Sequence, residues 1–101
     1  MKYRNRITEV DGIKFHSKKE AARYSVLKLM LRDGTISDLE LQPKFDLIVN
    51  DQKITRYIAD FRYKDKDGNV IIEDVKGVLT PVYKLKKKLM KALKGVEILE
   101  T

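Results

Sequence analysis

The chain has 101 residues, a formal net charge of +7, no cysteine and one histidine. This length suits one modest hydrophobic core, so we predict a single domain over residues 1–101. The composition excludes a disulfide framework, a thiolate nucleophile and metal sites built from Cys or His clusters. We expect a cytoplasmic protein without membrane contact, because no apolar run approaches the roughly 20 residues of a membrane span and none follows the basic N-terminus. The excess of lysine and arginine favours an anionic partner such as nucleic acid.

The first third of the chain predicts a small hairpin and then a helix. Thr8 to Phe15 reads as two short strands around Asp11-Gly12, a pair suited to the positive φ angles of a tight turn. Ser17 is a good N-cap, apolar residues then recur with helical spacing, and Asp33-Gly34 ends the pattern. The sequence therefore predicts a first helix over Lys18 to Arg32.

Three strands are predicted next. Leu39 to Val49 alternates apolar residues, with Pro43 indicating an edge or an irregular start. Ile54 to Tyr63 is rich in β-branched and aromatic residues, and the polar turn 65–69 joins it to a third strand, Val70 to Lys76. We expect the second and third strands to pair as a hairpin.

A second helix is indicated by Thr80 as N-cap, Pro81 at the first helical position and Gly95 just beyond the end. Helical spacing puts Val82, Leu85, Leu89, Ala92 and Leu93 on one face and Lys84, Lys87, Lys88 and Lys91 on the opposite one. We predict that the first face packs on the core. Val96 to Leu99 predicts a last strand, which gives the order α, β, β, β, α, β after the hairpin.

Acidic residues at the ends of two predicted strands are the candidates for chemistry. Asp60 lies near the end of the second strand, and Asp74-Val75-Lys76 ends the third. Side chains alternate along a strand, so Asp74 and Lys76 share a face, and counting from the turn places Asp60 opposite Val75. Two carboxylates beside a lysine can hold Mg²⁺ and activate water for phosphodiester cleavage.

Other interpretations of these acids stay open at this point. Asp74 and Lys76 can be an exposed charge pair, and Asp60 a turn cap, although both acids interrupt segments that read as buried, where a charge needs compensation. Glu20, three residues after Ser17, fits a capping box as well as a metal site. Glu73 is expected to face solvent or a lysine, unless a bulge brings it inward in place of Asp74.

The lysine face of the second helix is either a solvated surface or a contact for a phosphate backbone. Six lysines and no acid between Tyr83 and Lys94 form a like-charge run whose repulsion polyanionic DNA would relieve. The predicted nucleic-acid contacts are Lys84, Lys87, Lys88 and Lys91, together with Lys19 and Arg23 of the first helix.

Several strings of residues, taken in order, resemble a known group. Asp60, thirteen intervening residues and then Asp74-Val75-Lys76, behind a helix that carries Glu20, resemble the PD-(D/E)XK nuclease superfamily. The strings Val10-Asp11-Gly12-Ile13, Ser17-Lys18-Lys19-Glu20-Ala21, Leu39-Glu40-Leu41-Gln42-Pro43-Lys44-Phe45, Tyr57-Ile58-Ala59-Asp60-Phe61 and Glu73-Asp74-Val75-Lys76-Gly77 are similar to a small phage and prophage family assigned to that superfamily and related to phage Holliday junction resolvases.

The resemblance implies an α/β (α+β) fold with a restriction-endonuclease-like αβββαβ core, in which two helices flank a mixed central sheet. It implies that Asp60 and Asp74 bind Mg²⁺ or Mn²⁺, that Glu20 completes the acidic site and that Lys76 assists hydrolysis, with Gln42 near the cluster. Two positions depart from the superfamily pattern: Ala59 stands where proline is common, and Asp74 stands where glutamate is commoner. The shorter side chain of Asp74 would shift the metal.

We therefore expect a small metal-dependent endodeoxyribonuclease, with branched or recombination DNA as the favoured substrate and a homodimer as the simplest way to cut two strands. The alternatives are a nucleic-acid-binding module without activity on the same fold, and an interaction protein that docks an acidic partner. The sequence does not distinguish DNA from RNA.

Overall fold

The computed structural model describes residues 7–76 and 79–101. Its first element is the predicted hairpin, with β1 at Thr8–Val10 and β2 at Ile13–Phe15 paired antiparallel. Both turn residues take positive φ angles, 53° at Asp11 and 75° at Gly12, as a two-residue hairpin turn requires. The hairpin prediction is confirmed.

The first helix, α1, spans Lys18–Asp33 and has the ends that its caps predict. The Ser17 hydroxyl accepts a hydrogen bond from the Glu20 amide at 3.1 Å, and Gly34 ends the helix with a φ of 83°. The buried face consists of Glu20, Ala21, Tyr24 and Leu27. An acidic residue thus lies on the face that packs inward.

The two long predicted strands are each divided in the structure. The strands after α1 are β3 (Ser37–Leu41), β4 (Lys44–Val49), β5 (Gln52–Ile58), β6 (Phe61–Lys64) and β7 (Val70–Asp74). The predicted strand Leu39 to Val49 corresponds to β3 and β4, and Ile54 to Tyr63 corresponds to β5 and β6. The prediction of two unbroken strands was wrong.

The divisions lie opposite each other, so residues 37–64 form one antiparallel ribbon with a bend across both arms. Gln42 adopts a left-handed φ of 51° beside the fully buried Pro43, which has no amide proton to donate. The Gln42 amide donates to the Asp60 carbonyl at 3.0 Å, and the Ala59 amide donates to the Pro43 carbonyl at 3.1 Å. We call Gln42, Pro43, Ala59 and Asp60 the bend; beyond it, β4 and β5 form an outer arm that is not part of the central sheet.

The central sheet has the strand order β3, β6, β7, β8, where β8 spans Ile98–Glu100. The strands β3, β6 and β7 pair antiparallel with one another. β8 runs parallel to β7 and follows the crossover helix α2, Pro81–Lys94. The sheet is therefore mixed, as expected. The predicted pairing of the second and third strands holds for β6 with β7, whereas β5 pairs with β4.

Two apolar clusters lie on opposite sides of this sheet. The cluster under α1 contains Phe15, Ala21, Tyr24, Leu27, Ile36, Phe61 and Tyr63. The cluster under α2 contains Leu47, Tyr57, Ala59, Ile72, Tyr83, Met90 and Ile98. Because β7 alternates its side chains between the two clusters, neighbouring residues of this strand enter different surroundings.

Helix α2 begins and ends at the predicted caps but presents a different face to the core. Tyr83 and Met90 are buried, whereas Val82 is 63% exposed and Leu85 is 58% exposed. Of the predicted core face, Leu89 packs against the cluster under α2 and is partly buried. The prediction was wrong for the other four residues, because Tyr83 and Met90 fill that cluster in their place. No helix in the described residues is long and apolar enough to cross a membrane.

Candidate active site

The end of β7 brings together the acids that the sequence singled out. Phe61 pairs with Glu73, which puts Asp60 beside Asp74, one residue from the predicted position opposite Val75. The Asp60 amide donates to the Glu73 carbonyl at 3.1 Å, and the Val75 amide donates to Asp60 Oδ2 at 2.7 Å. The bend therefore fixes both the backbone and the carboxylate of Asp60.

The carboxyl groups of Asp60 and Asp74 lie close enough for each to affect the pKa of the other. Burial and, next, a hydrogen bond with the Glu20 carboxyl raise the pKa of Asp60 to about 6, against the opposing effects of Asp74 and the Val75 amide. Burial also raises the pKa of Asp74 to about 6, together with the hydrogen bond to Asp60. Buried acids this close favour a proton or a cation between them.

Glu20 takes part in capping α1 and also lies beside Asp60. Its amide donates to the Ser17 hydroxyl, and its Oε1 accepts the His16 amide at 3.1 Å, so it takes part in capping α1. The same carboxyl, in a residue only 8% exposed, interacts with Asp60. The first turn of α1 thus supplies a third carboxylate to the pair at the end of β7.

Asp74 and Lys76 form an ion pair on the shared face that strand alternation predicted. Lys76 Nζ lies 3.0 Å from Asp74 Oδ1 and 3.8 Å from the centre of the Tyr83 ring, over its face. The other carboxylate oxygen, Oδ2, accepts a short hydrogen bond from the Tyr57 hydroxyl. An aromatic face attracts an ammonium group, so Tyr83 and Asp74 together hold Lys76 Nζ beside the acids.

Glu73 was expected to face solvent or a lysine, and this was wrong. It is fully buried and pairs with Arg23, whose Nε lies 2.6 Å from Oε2 and whose Nη2 lies 2.9 Å from Oε1. The hydroxyls of Tyr63 and Thr101 also donate to it, at 2.5 and 3.1 Å. Burial raises the pKa of Glu73, but the hydrogen bonds from Arg23 and Tyr63 outweigh it and hold the pKa below its usual value.

This network answers which acid of β7 faces the site. The oxygens of Glu73 accept four hydrogen bonds from three residues, Arg23, Tyr63 and Thr101, whereas Asp74 faces Asp60. Arg23, predicted as a nucleic-acid contact, uses two guanidinium nitrogens to bind Glu73, because a bidentate arginine is the partner that a buried carboxylate needs. Its position marks it as a structural residue of the sheet–helix interface.

The lysines predicted to contact nucleic acid differ in their partners. Lys87 Nζ lies 3.1 Å from Glu100 of β8, and Lys91 Nζ lies 2.8 Å from Glu97 just before that strand, so two members of the lysine face are neutralised. Lys84 and Lys88 have no carboxylate within ion-pair distance in the described part of the chain. These four lysines and the two glutamates line a cavity of about 560 Å³ between α2 and β8.

Lys19 contacts the backbone of Lys76, the lysine of the candidate site. Its Nζ donates to the Lys76 carbonyl at 2.8 Å, which joins the first turn of α1 to the chain beyond β7. A smaller cavity, of about 200 Å³, opens beside Glu20 and Asp60, and another of about 300 Å³ opens beside Lys76 and Tyr83. The carboxylates therefore lie between two surface openings.

The donor set has the chemistry of a site for a hard divalent cation, since its ligands are carboxylate oxygens. Across residues 7–76 and 79–101 no group of three or more His, Cys, Asp or Glu side chains stands in a ready metal-holding arrangement. Mg²⁺ commonly takes only one or two protein carboxylates and completes its shell with phosphate and water. Asp60 and Asp74 fit that pattern, with Glu20 next to them.

The candidate site also contains two tyrosines, Tyr57 and Tyr83, and the sequence interpretation did not assign a role to Tyr57. Both tyrosines are buried, their rings lie 6.3 Å apart, and their hydroxyls bind Asp74 and Glu100 respectively. A buried tyrosine hydroxyl usually requires a polar partner. Tyr57, three residues before Asp60 in an otherwise apolar segment, was the available signal.

These features define a mixed α+β domain with a carboxylate cluster at the end of its central strand. The chain belongs to a family described as "Protein of unknown function (DUF1064)", whose model matches residues 1–98. No curated protein and no solved structure matches the chain.

Proposed function

We propose that the protein is a Mg²⁺- or Mn²⁺-dependent endodeoxyribonuclease on a restriction-endonuclease-like fold. The observation that carries the proposal is that Asp60, Asp74 and Lys76 lie together at the end of β7, with Lys76 Nζ 3.0 Å from Asp74 Oδ1. The buried Asp74 and the half-buried Asp60, with Lys76 on the same face as Asp74, supply opposite charges for a metal ion and for a phosphate.

Asp60, Asp74 and Glu20 would hold the ion. A bound divalent cation supplies Lewis acidity toward the phosphodiester and lowers the pKa of water. A cation between the acids would relieve the electrostatic cost of placing two carboxylates together away from water, a cost that raises both pKa values to about 6. Tyr57 keeps one oxygen of Asp74 occupied, which orients the carboxylate.

Lys76 stabilises the negative charge that develops on the phosphoryl group. Its ion pair with Asp74 and its contact with the Tyr83 ring hold the ammonium at the site before substrate arrives. Such preorganisation avoids the cost of moving a long flexible side chain during the reaction.

Flanking DNA would contact the lysines that lack carboxylate partners. Lys84 and Lys88 are exposed on α2, while Glu100 and Glu97 compete with phosphate for Lys87 and Lys91. Lys19 adds a positive charge on the α1 side. One small domain carries one such cluster, so cutting both strands of a branched or junction substrate would use a homodimer.

The test is cleavage of a labelled four-way junction, flap, duplex and single strand in Mg²⁺, Mn²⁺ or EDTA. Asp60→Asn and Lys76→Ala should each abolish metal-dependent cutting, because one removes a ligand charge and the other the phosphoryl partner. Matched controls are Asp46→Asn and Lys53→Ala, an exposed ion pair on the outer arm, which should cut normally. The preferred substrate would identify the subtype.

Absence of cutting by folded protein on every substrate would overturn the nuclease proposal. Tight binding that EDTA does not change, and that Lys76→Ala leaves intact, would instead indicate a non-catalytic nucleic-acid-binding module. Equal cleavage by wild type and by both site variants would show that a contaminant performs the reaction.

A further inference from the structure

The cavity of about 200 Å³ beside Asp60 has an apolar wall that the site described above does not use. Ile13 and Phe15 of β2 and Leu41 of β3 form this wall. Phe15 is 5% exposed and packs 5.0 Å from the ring of Tyr24, which braces it against α1. The wall is thus a fixed surface, built where the N-terminal hairpin meets the bend.

Four polar side chains also line the cavity: Glu20 and Asp60 of the candidate site, and Lys14 and Gln42, which are available to a ligand. Lys14 and Gln42 are exposed. In residues 7–76 and 79–101 neither side chain has a hydrogen-bond or ion-pair partner. Gln42 also holds a left-handed φ of 51°, a conformation that costs energy for a residue other than glycine and that often marks a functional position.

The size and lining of the cavity suit one flat, partly apolar group. Drug-sized ligands occupy pockets of roughly 300–1,000 Å³, so this cavity takes something smaller. A nucleobase has apolar faces, which match the apolar wall. It also has an edge of hydrogen-bond donors and acceptors, which matches the side-chain amide of Gln42 because that group offers both. Lys14 adds the charge that attracts the phosphate attached to such a base.

We propose that this cavity binds one unpaired nucleobase of a DNA strand whose backbone lies at Asp60 and Asp74. This inference rests on the proposed function and names its substrate class: DNA with a single-stranded or extruded nucleotide next to the cleaved phosphate. A base inside a duplex is stacked and paired, so it must leave the helix before it can enter a cavity of this kind. The site therefore selects flaps, junctions and single strands over uninterrupted duplex.

The experiment measures binding in EDTA, so that it is separate from cleavage. The probes are a 15-nucleotide single strand and its duplex, each with one 2-aminopurine, titrated by anisotropy and by 2-aminopurine fluorescence. Wild type should bind the single strand about tenfold more tightly than the duplex, because accommodation of a base is worth roughly that factor or more. Ile13→Trp fills the cavity and should remove this preference.

Two further variants keep the proposal falsifiable if Ile13→Trp fails to fold. Leu29→Trp adds the same bulk at a site on α1 that is 61% exposed, and should keep the preference. Gln42→Asn keeps an amide and tolerates the left-handed backbone, but the shorter side chain should weaken single-strand binding several-fold at unchanged thermal stability. A preference that survives both Ile13→Trp and Gln42→Asn overturns the base site.

The outcome separates this inference from the proposed function. Sensitivity of single-strand binding to the cavity variants, without cleavage of any substrate in Mg²⁺, would support the base site and overturn the nuclease. Equal cutting of duplex and single strand by wild type and Ile13→Trp would overturn the base site and support the nuclease. No binding of either probe overturns the base site outright.

Discussion

Glu73 and Asp74 are adjacent acids of one strand and both are almost fully buried, but their pKa values are shifted in opposite directions. Glu73 is 0% exposed and lies on the α1 side among Arg23, Tyr63 and Thr101, which lower its pKa. Asp74 is 3% exposed and lies on the α2 side beside Asp60, with its pKa raised to about 6. Burial is the same for both, so the partners alone decide the sign of the shift.

The difference teaches how to tell a structural acid from a candidate catalytic one. The charge of Glu73 is neutralised by a bidentate arginine, and its oxygens have little capacity for another ligand. Asp74 has one lysine but faces a second acid, so the pair keeps an unbalanced negative charge. A buried site with excess negative charge is where a cation or a proton is needed.

The largest effect that would test this contrast is on cleavage. Asp74→Asn should lower the cleavage rate in Mg²⁺ by at least ~100-fold, because it removes the charge of a proposed ligand. Its stability in EDTA at pH 8 should not fall, since Tyr57 can still donate to the amide oxygen and one of two repelling charges is gone. Single-turnover cleavage and urea unfolding measure the two quantities, and comparable activity in Asp74→Asn and wild type would remove Asp74 from the mechanism.

The second effect is on folding. Glu73→Gln should lower the free energy of unfolding by about 2–3 kcal/mol, below the 3–5 kcal/mol typical of breaking a buried pair because Arg23 is 26% exposed and reaches water. Tyr63→Phe removes one hydrogen bond from the same acid and should cost about 1 kcal/mol. Urea denaturation midpoints give both values; a Glu73→Gln protein as stable as wild type would contradict the structural role.

The third effect is the pH dependence of stability in EDTA. Asp60 and Asp74 have folded-state pKa values raised from 3.8 to about 6, so the folded protein binds their protons more tightly than the unfolded chain does. Stability should therefore rise by about 1–2 kcal/mol as the pH falls from about 8 to 5. Below that, protonation of Glu73, whose pKa is lowered, should reverse the trend.

Urea denaturation at fixed pH values checks this profile. Asp60→Asn should flatten the rise, and 10 mM Mg²⁺ should reduce it in wild type because the cation replaces the proton. A profile that rises from pH 5 to 8 would show that the two acids do not share the coupled environment described above.

The smallest effect compares partnered and unpartnered lysines of α2. Lys84→Ala and Lys88→Ala should each weaken DNA binding about threefold and reduce the salt slope by about 1, as loss of one phosphate contact does. Lys91→Ala should change affinity less than twofold, since Glu97 already holds its ammonium. Anisotropy titrations over about 50–200 mM salt test this, and equal losses for all three lysines would mean that the glutamates release their partners to DNA.

Local chemistry made part of this structure predictable. Ser17, Thr80, Gly34 and Gly95 define helix ends through contacts within a few residues, and the Asp11-Gly12 turn does the same for the hairpin. The shared face of Asp74 and Lys76 follows from strand alternation. Such features depend on short stretches of chain, so the sequence contains them directly.

The remainder depends on contacts between distant segments. The bend needs hydrogen bonds between Gln42 and Asp60, and the location of Glu73 depends on Arg23, fifty residues earlier in the chain. The core face predicted for α2 was wrong at most positions, because helical spacing cannot tell which apolar side chains pack against the sheet. Only the three-dimensional structure shows that Tyr57 and Tyr83 serve the candidate site.

The bend in the 37–64 ribbon separates the position of Asp60 from the length of the outer arm. Asp60 is fixed in the bend, next to β6 of the central sheet. The outer arm, β4 with β5, ends in the Asn50-Asp51 turn. Adding paired residues at that turn would lengthen the outer arm without altering the register of β6 on β7. The outer arm can thus change in length while the register that places Asp60 beside Asp74 stays the same.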